Sequence, residues 1–137
     1  MILVDTCIFS LALRRRRASL SRAELRLVGE LTSFIRASRA SLLGIVRQEL
    51  LSGIRDAAQF ERLRAGLRAF PDPALEIEDF EMAAQVTNRC HKAGVAGSVT
   101  DFLICGVSLR RDWAIFTTDK DFHSYARHLP LRLVQPA

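Results

Sequence analysis

The first thirteen residues, MILVDTCIFSLAL (residues 1–13), decide the fold. The apolar run at residues 1–4 is continuous rather than alternating, which favours a strand covered on both faces, as in a parallel sheet. The run stops at Asp5, and residues 6–13 predict a helix that begins directly after it. A short buried strand followed at once by a helix is typical of the first unit of an α/β domain.

Strands and helices alternate along the rest of the chain. Further short strands are predicted at residues 40–43, 75–77, 113–116 and 131–134. Helices are predicted from the Ser21–Glu24 capping box to about residue 38, then at residues 45–51, 56–70, 79–93, 101–111 and 121–127, with Thr100 as the cap of the helix at residue 101. This order predicts an α/β fold with a mainly parallel sheet.

Length and composition set the class of protein. The chain has 137 residues, 49% hydrophobic and 26% charged, which is typical of one globular domain. We expect that domain at residues 1–134, followed by a short C-terminal tail at residues 135–137. The three cysteines show no metal-binding spacing, and no apolar run reaches membrane length. These features, with no signal peptide in the N-terminal sequence, predict a cytoplasmic protein with reduced thiols and no membrane contact.

The charge balance is basic. Of 20 basic side chains 18 are arginines, and the net charge is +5. Arginine binds phosphate through two parallel hydrogen bonds, so this composition favours a nucleic-acid partner. A solvated basic surface without a partner is the alternative reading.

Carboxylates stand beside several of the apolar segments. Asp5 and Asp119 each follow a predicted strand, and Asp121 lies two residues beyond Asp119. Glu49 lies in an apolar helix, and Asp101 begins another. Ligands of parallel α/β sheets bind beyond the carboxyl ends of the strands, which is where Asp5 and Asp119 are expected.

Each of these acids also has a purely structural interpretation. Asp101 is suited to a helix N-terminus, and Asp119 to a helix cap. Glu49 has Arg47 and Arg55 as possible ion-pair partners on the surface. Together, however, a group of carboxylates without histidine or cysteine ligands is the donor set that Mg²⁺ and Mn²⁺ prefer. An acidic pocket on a basic chain predicts a metal-dependent nuclease.

Other chemistries lack their motifs. The sequence has no glycine-rich dinucleotide or phosphate loop, no GxSxG turn and no HExxH or zinc-finger spacing.

Four segments in this order carry a family resemblance: ILVDTCIFS (2–10), VRQELLSGI (46–54), GSVTDFLICGVSL (97–109) and IFTTDKDFHSYA (115–126). The chain resembles the PIN-domain family, and within it the VapC-type toxins of bacterial toxin–antitoxin pairs. The resemblance implies a sheet of about five strands flanked by helices. It also implies a Mg²⁺- or Mn²⁺-dependent endoribonuclease that hydrolyses RNA with a metal-activated water.

The same resemblance assigns roles to individual residues. Asp5, Glu49, Asp101 and Asp119 match the catalytic, metal-binding acids, and Asp121 is the alternative outermost ligand. Thr6 and Thr117 match hydroxyl residues that support these acids, whereas Cys7 stands at a position where Asn or Ser is frequent and receives no role.

The resemblance also implies partners: an RNA substrate, a small antitoxin protein that inhibits the active site, and a second copy of the chain in a homodimer. Arg14, Arg15, Arg16 and Arg17 are candidates for contacting the RNA. A solvated turn, or a patch for an acidic partner segment, is the alternative for these arginines. For the whole chain the alternatives are a PIN-like nuclease in RNA processing or DNA cleavage without an antitoxin, and a non-catalytic binding module with the same fold.

Overall fold

The computed structural model of the protein describes residues 1–135. Of the predicted tail, residues 136 and 137 lie outside the described residues. The described strands are β1 (Ile2–Val4), β2 (Ala40–Ser41) and β3 (Ala114–Phe116). The described α-helices are α1 (Thr6–Leu13), α2 (Arg22–Arg36), α3 (Gly44–Leu51), α4 (Ala57–Leu67), α5 (Ile77–Lys92), α6 (Val99–Arg111) and α7 (Asp121–Ala126). Within residues 1–135, none of these helices is long and apolar enough to cross a membrane.

The sheet is parallel, and β1 is its central strand. Its order is β2-β1-β3, with Ile2 opposite Ala40 on one side and Val4 opposite Phe116 on the other. Beyond β3, Ile115 forms a single parallel bridge with Leu133, so the predicted strand at residues 131–134 is reduced to one pairing. The α/β fold with a parallel sheet and flanking helices is confirmed, although residues 1–135 show three strands and this bridge rather than about five strands.

The predicted strand at residues 75–77 is wrong. Ile77 is instead the first residue of α5, two residues earlier than the predicted helix. The Asp79 carboxylate accepts a hydrogen bond of 2.8 Å from the Glu76 N–H, which satisfies one of the free donors at the helix start. The three residues Leu-Glu-Ile are too few for their pattern to distinguish a strand from the approach to a helix.

The predicted cap of α6 is also wrong. Ser98, rather than Thr100, accepts a hydrogen bond from the Asp101 N–H, at 3.0 Å. The helix therefore begins at Val99, and Asp101 lies in its first turn. Both candidate caps are hydroxyl residues, so local sequence alone does not separate them.

Helices α5 and α6 form a tight antiparallel pair. A Cβ atom at Gly106 of α6 would lie 2.7 Å from the Ala83 backbone nitrogen of α5, so this glycine permits the two backbones to approach. At the far end of α6, Arg110 and Arg111 contact Asp79, with nitrogen–oxygen distances of 3.1 and 2.7 Å. These arginines lie in the last helical turn, where the dipole favours cations, and they also join α6 to the start of α5.

Asp79 is fully buried, at 0% exposure. Burial by itself raises the pKa of Asp79, but hydrogen bonds from Arg111, the Glu76 N–H and Arg110 outweigh it and hold the pKa at about 2. A carboxyl group with a lowered pKa stabilises the fold above its unfolded-state pKa, and this contribution is lost as the pH falls towards the folded-state value.

We expect Asp79→Asn to lower the free energy of unfolding at pH 7 by about 2 kcal/mol, the equivalent of a carboxyl pKa near 2. Urea unfolding of both proteins at several pH values is the measurement. The difference between them should shrink as the pH falls from about 4 towards 2. Asp72→Asn, which alters an exposed ion pair with Arg47, is the control and should cost below about 1 kcal/mol. A difference that stays constant with pH would contradict this account.

Candidate active site

The pairing of β1 with β3 brings the first two site residues together. Val4 lies opposite Phe116, so Asp5 and Thr117 leave the sheet side by side at its carboxyl edge. The Asp5 N–H donates to the Phe116 carbonyl at 3.0 Å, which extends the pairing by one step. The Thr117 hydroxyl then donates to Oδ2 of Asp5 at 2.7 Å.

Asp5 is held by the backbone as well. It is the N-cap of α1, and its Oδ1 accepts a hydrogen bond of 2.8 Å from the Thr6 N–H. Only 6% of the residue is exposed. The positive end of the α1 dipole favours a negative charge at this position, which partly offsets the cost of burying the carboxylate.

Glu49 joins the site through a threonine. It projects from α3 and is exposed, and its Oε1 accepts a hydrogen bond of 2.9 Å from the Thr6 hydroxyl. Thr6 therefore donates to both Asp5 and Glu49, one through its N–H and the other through its hydroxyl.

Three further aspartates form a compact group. One carboxylate oxygen from each of Asp101, Asp119 and Asp121 lies within 4.8 Å of the others. The Asp119 N–H donates to the Thr117 hydroxyl at 3.0 Å, and the Asp121 N–H donates to Oδ1 of Asp119 at 2.9 Å. The sequence favoured Asp119 over Asp121, whereas the structure brings both to the same place. We call all five carboxylates, those of Asp5, Glu49, Asp101, Asp119 and Asp121, the acidic site.

Tyr125 was not found from the sequence. It is buried on α7, and its hydroxyl donates to Oδ2 of Asp101 at 2.7 Å. Burial and the negative charge of Asp101 raise its pKa, so the phenol keeps its proton and remains a donor. The signal in the sequence was weak, because a tyrosine inside a short apolar helix normally indicates core packing.

Gly97 leaves the space that this hydroxyl requires. A Cβ atom there would lie 2.6 Å from the Tyr125 hydroxyl and 2.7 Å from the Phe102 ring. Both distances are shorter than van der Waals contact allows, so any larger residue would displace Tyr125 from Asp101.

Cys7 also contacts the site, although the sequence gave no reason to include it. Its sulfur accepts hydrogen bonds of 3.4 Å from both the N–H and the hydroxyl of Thr118, and lies 3.7 Å from Oδ2 of Asp5. The thiol therefore links the start of α1 to the loop that carries Asp119.

Within residues 1–135, the acidic site has no ion-pair partner. Among the described residues 1–135, none of its five carboxylates forms a salt bridge, although the chain contains 18 arginines. Burial raises the pKa of Asp5, and the charge of Asp119 raises it further, although hydrogen bonds from neighbouring groups oppose the rise. Burial likewise raises the pKa of Asp101, with added contributions from the charges of Asp5 and Asp119.

This arrangement fits a hard divalent cation. The acidic site offers carboxylate oxygens, which are the ligands that Mg²⁺ and Mn²⁺ prefer. Neighbouring carboxylates that raise one another's pKa values repel one another, and a bound cation would relieve this repulsion. The Thr6 hydroxyl donates to Glu49 and the Thr117 hydroxyl to Asp5, so both threonines contact carboxylates of the acidic site.

The four consecutive arginines are exposed and lie after α1. Arg15 pairs with Glu24 of α2 at 2.9 Å. Arg14 lines a groove with Gln59 and Arg62 of α4. A contact between these arginines and RNA stays a prediction.

The chain also matches a known protein family. The family profile described as PIN domain matches residues 2–128, which is nearly the whole chain. The chain belongs to the PIN domain family. No match was found among curated proteins.

Solved structures show the same fold. FitAcB from Neisseria gonorrhoeae is 20% identical with a TM-score of 0.77, covering 99% of this chain and 98% of that chain. VapBC2 from Rickettsia felis, bound to a DNA fragment from its promoter, is 15% identical with a TM-score of 0.73 and covers 98% of both chains. A toxin–antitoxin complex from Klebsiella pneumoniae is 16% identical with a TM-score of 0.68, covering 100% of this PIN domain and 98% of that chain.

The role of the hydrogen bond from Tyr125 to Asp101 can be tested by measuring metal affinity. Tyr125→Phe keeps the ring but removes the hydroxyl, so Oδ2 of Asp101 loses its fixed partner. We expect Mn²⁺ affinity, measured by calorimetric titration, to fall about tenfold, as is usual when a partner of a ligand is removed.

Ser108→Ala is the matched control, because it removes another buried hydroxyl that donates only to the Trp113 carbonyl. It should lower thermal stability without changing Mn²⁺ affinity. Equal Mn²⁺ affinity in wild type and Tyr125→Phe would show that the hydroxyl does not position Asp101.

Proposed function

We propose that this PIN domain is a Mg²⁺- or Mn²⁺-dependent endoribonuclease and the toxin of a toxin–antitoxin pair. The observation that carries the proposal is the acidic site. Oxygens of Asp101, Asp119 and Asp121 lie within 4.8 Å of one another, and Thr117 and Thr6 hydrogen-bond to Asp5 and Glu49 at the same edge of the sheet. None of the five carboxylates forms a salt bridge within residues 1–135. The basic net charge supports a polyanionic substrate. The likeness to FitAcB, VapBC2 and a toxin–antitoxin complex supports the role as a toxin.

The proposed reaction is hydrolysis of an RNA phosphodiester. Asp5, Glu49, Asp101 and Asp119 would hold the cation, with Asp121 as a further ligand. When bound, such an ion lowers the pKa of a coordinated water and offsets charge on the phosphate oxygens.

The surrounding residues keep the carboxylates in place. Thr117 holds Oδ2 of Asp5, and Tyr125 holds Oδ2 of Asp101. Thr6 holds Glu49 against the start of α1. Because these donors are uncharged, they position the carboxylates without placing a positive charge beside them.

The proposed partners are a small antitoxin protein that blocks the acidic site and a second copy of the chain in a homodimer. The proposed place of action is the cytoplasm, where RNA is present and where the free thiols of Cys7, Cys90 and Cys105 stay reduced. A nuclease without an antitoxin has no observation of its own in the structure to favour it.

The decisive experiment is cleavage of total RNA by the purified chain with Mg²⁺, with Mn²⁺ and with EDTA. Discrete fragments should appear with metal and not with EDTA. Asp5→Asn and Asp101→Asn should lower the rate by about two orders of magnitude or more, since a catalytic metal contributes several kcal/mol to the transition state.

Glu61→Gln is the control, because Glu61 is an exposed acid of α4 that pairs with Arg64. Its cleavage rate should stay within about twofold of wild type, as expected for a surface substitution. Circular dichroism should show that all variants fold. Cleavage that persists in EDTA, or in both aspartate variants, would overturn the proposal.

Metal binding has a separate readout in thermal stability. Mn²⁺ should raise the melting temperature of the wild type, because a ligand that binds only the folded state stabilises it. At a hundredfold excess over the dissociation constant the gain is about 2.7 kcal/mol. Asp101→Asn should show a much smaller shift, and Glu61→Gln the full shift. An equal shift of the melting temperature in all three proteins would show that Mn²⁺ binds outside the acidic site.

A further inference from the structure

A groove of about 370 Å³ lies between the end of α5 and the segment that follows α7. We call it the basic groove, and its lining residues are Arg89, Lys92, Ala93, Arg127 and His128. Arg89, Lys92 and Arg127 are exposed and positively charged, and no acidic residue lines the groove.

These cations have no ion-pair partners within the described chain. Arg89, Lys92 and Arg127 form no salt bridge in residues 1–135, whereas six other arginines do. The α5 dipole favours Arg89 and Lys92 at its C-terminal end, but it does not explain why Arg127, from the segment after α7, lines the same groove. Like charges brought together by two separate elements repel one another unless an anion offsets them.

Tyr125 connects the basic groove to the acidic site. Its hydroxyl donates to Asp101, and its carbonyl accepts a hydrogen bond of 2.9 Å from the N–H of His128, a groove residue. Tyr125 therefore contacts one residue of each surface, Asp101 of the acidic site and His128 of the basic groove. An acidic site repels a phosphodiester strand, so positive charge directly beside it is what would hold such a strand in place.

We propose that the basic groove binds the phosphate backbone of the RNA strand next to the scissile bond. This inference rests on the proposed ribonuclease function. It assigns strand binding to Arg89, Lys92 and Arg127, none of which the sequence indicated. Backbone contacts of this kind position a strand without reading its bases.

The test compares two triple variants with the same net charge. The groove variant is Arg89→Ala, Lys92→Ala and Arg127→Ala. The control variant is Arg22→Ala, Arg26→Ala and Arg36→Ala, which removes three exposed α2 arginines that form no salt bridge in the described residues. Binding of a short fluorescein-labelled single-stranded RNA is followed by anisotropy in EDTA, over a series of KCl concentrations.

The groove variant should bind at least about tenfold more weakly than wild type, and the control variant about as well as wild type. The slope of log affinity against log salt should fall by about two in the groove variant, since each phosphate contact on a single strand contributes about 0.7. Equal affinities and slopes in the two triple variants would overturn the proposal. So would a groove variant that loses binding to DNA of the same sequence but keeps binding to RNA.

Cleavage assays on the same preparations separate this inference from the proposed function. One outcome is that the wild type binds RNA through the basic groove without cleaving it in the presence of Mn²⁺. That result would overturn the proposed nuclease activity and support RNA binding by the groove. If the wild type cleaves RNA, and the groove variant binds and cleaves RNA as well as the control variant does, then the proposal of RNA binding by the groove is overturned and the proposed nuclease activity stands.

Discussion

Val4 lies opposite Phe116 in the parallel pairing of β1 with β3, and the site depends on this register. The next pair along the two strands is Asp5 and Thr117, so the hydroxyl reaches the carboxylate without any loop having to be ordered separately. Because side chains alternate between the two faces of a strand, a shift of one residue would direct Asp5 to the wrong face. The loop after β3 then carries Asp119 and Asp121 towards Asp101.

The acidic site stores unfavourable electrostatic energy in the protein without metal. Asp5 and Asp101 are held by N–H and hydroxyl donors rather than by arginines, and their raised pKa values reflect burial and mutual repulsion. Asp79 differs, because it is paired with arginines: Arg110 and Arg111 lower the pKa of this fully buried carboxylate. Asp79 therefore joins two helices through its ion pairs, whereas the carboxylates of the acidic site form no salt bridge within residues 1–135.

The acidic site and the basic groove carry charges of opposite sign. The acidic site lies at the carboxyl edge of the sheet, and the basic groove lies between the end of α5 and the segment after α7. Tyr125 contacts both surfaces, because its hydroxyl donates to Asp101 and its carbonyl accepts a hydrogen bond from the N–H of His128.

Short-range features were read from the sequence by itself. The continuous apolar run before Asp5 and the alternating helices predicted the parallel α/β fold, and local motifs indicated Asp5, Glu49, Asp101 and Asp119. The predicted strand at residues 75–77 is wrong, because three residues do not distinguish a strand from a helix start. Three features became visible with the folded structure: Tyr125 donates to Asp101, Gly97 leaves room for it, and Arg127 lines the same groove as Arg89 and Lys92. Those contacts join residues far apart in the chain, and long-range packing, which brings them together, leaves no local pattern in the sequence.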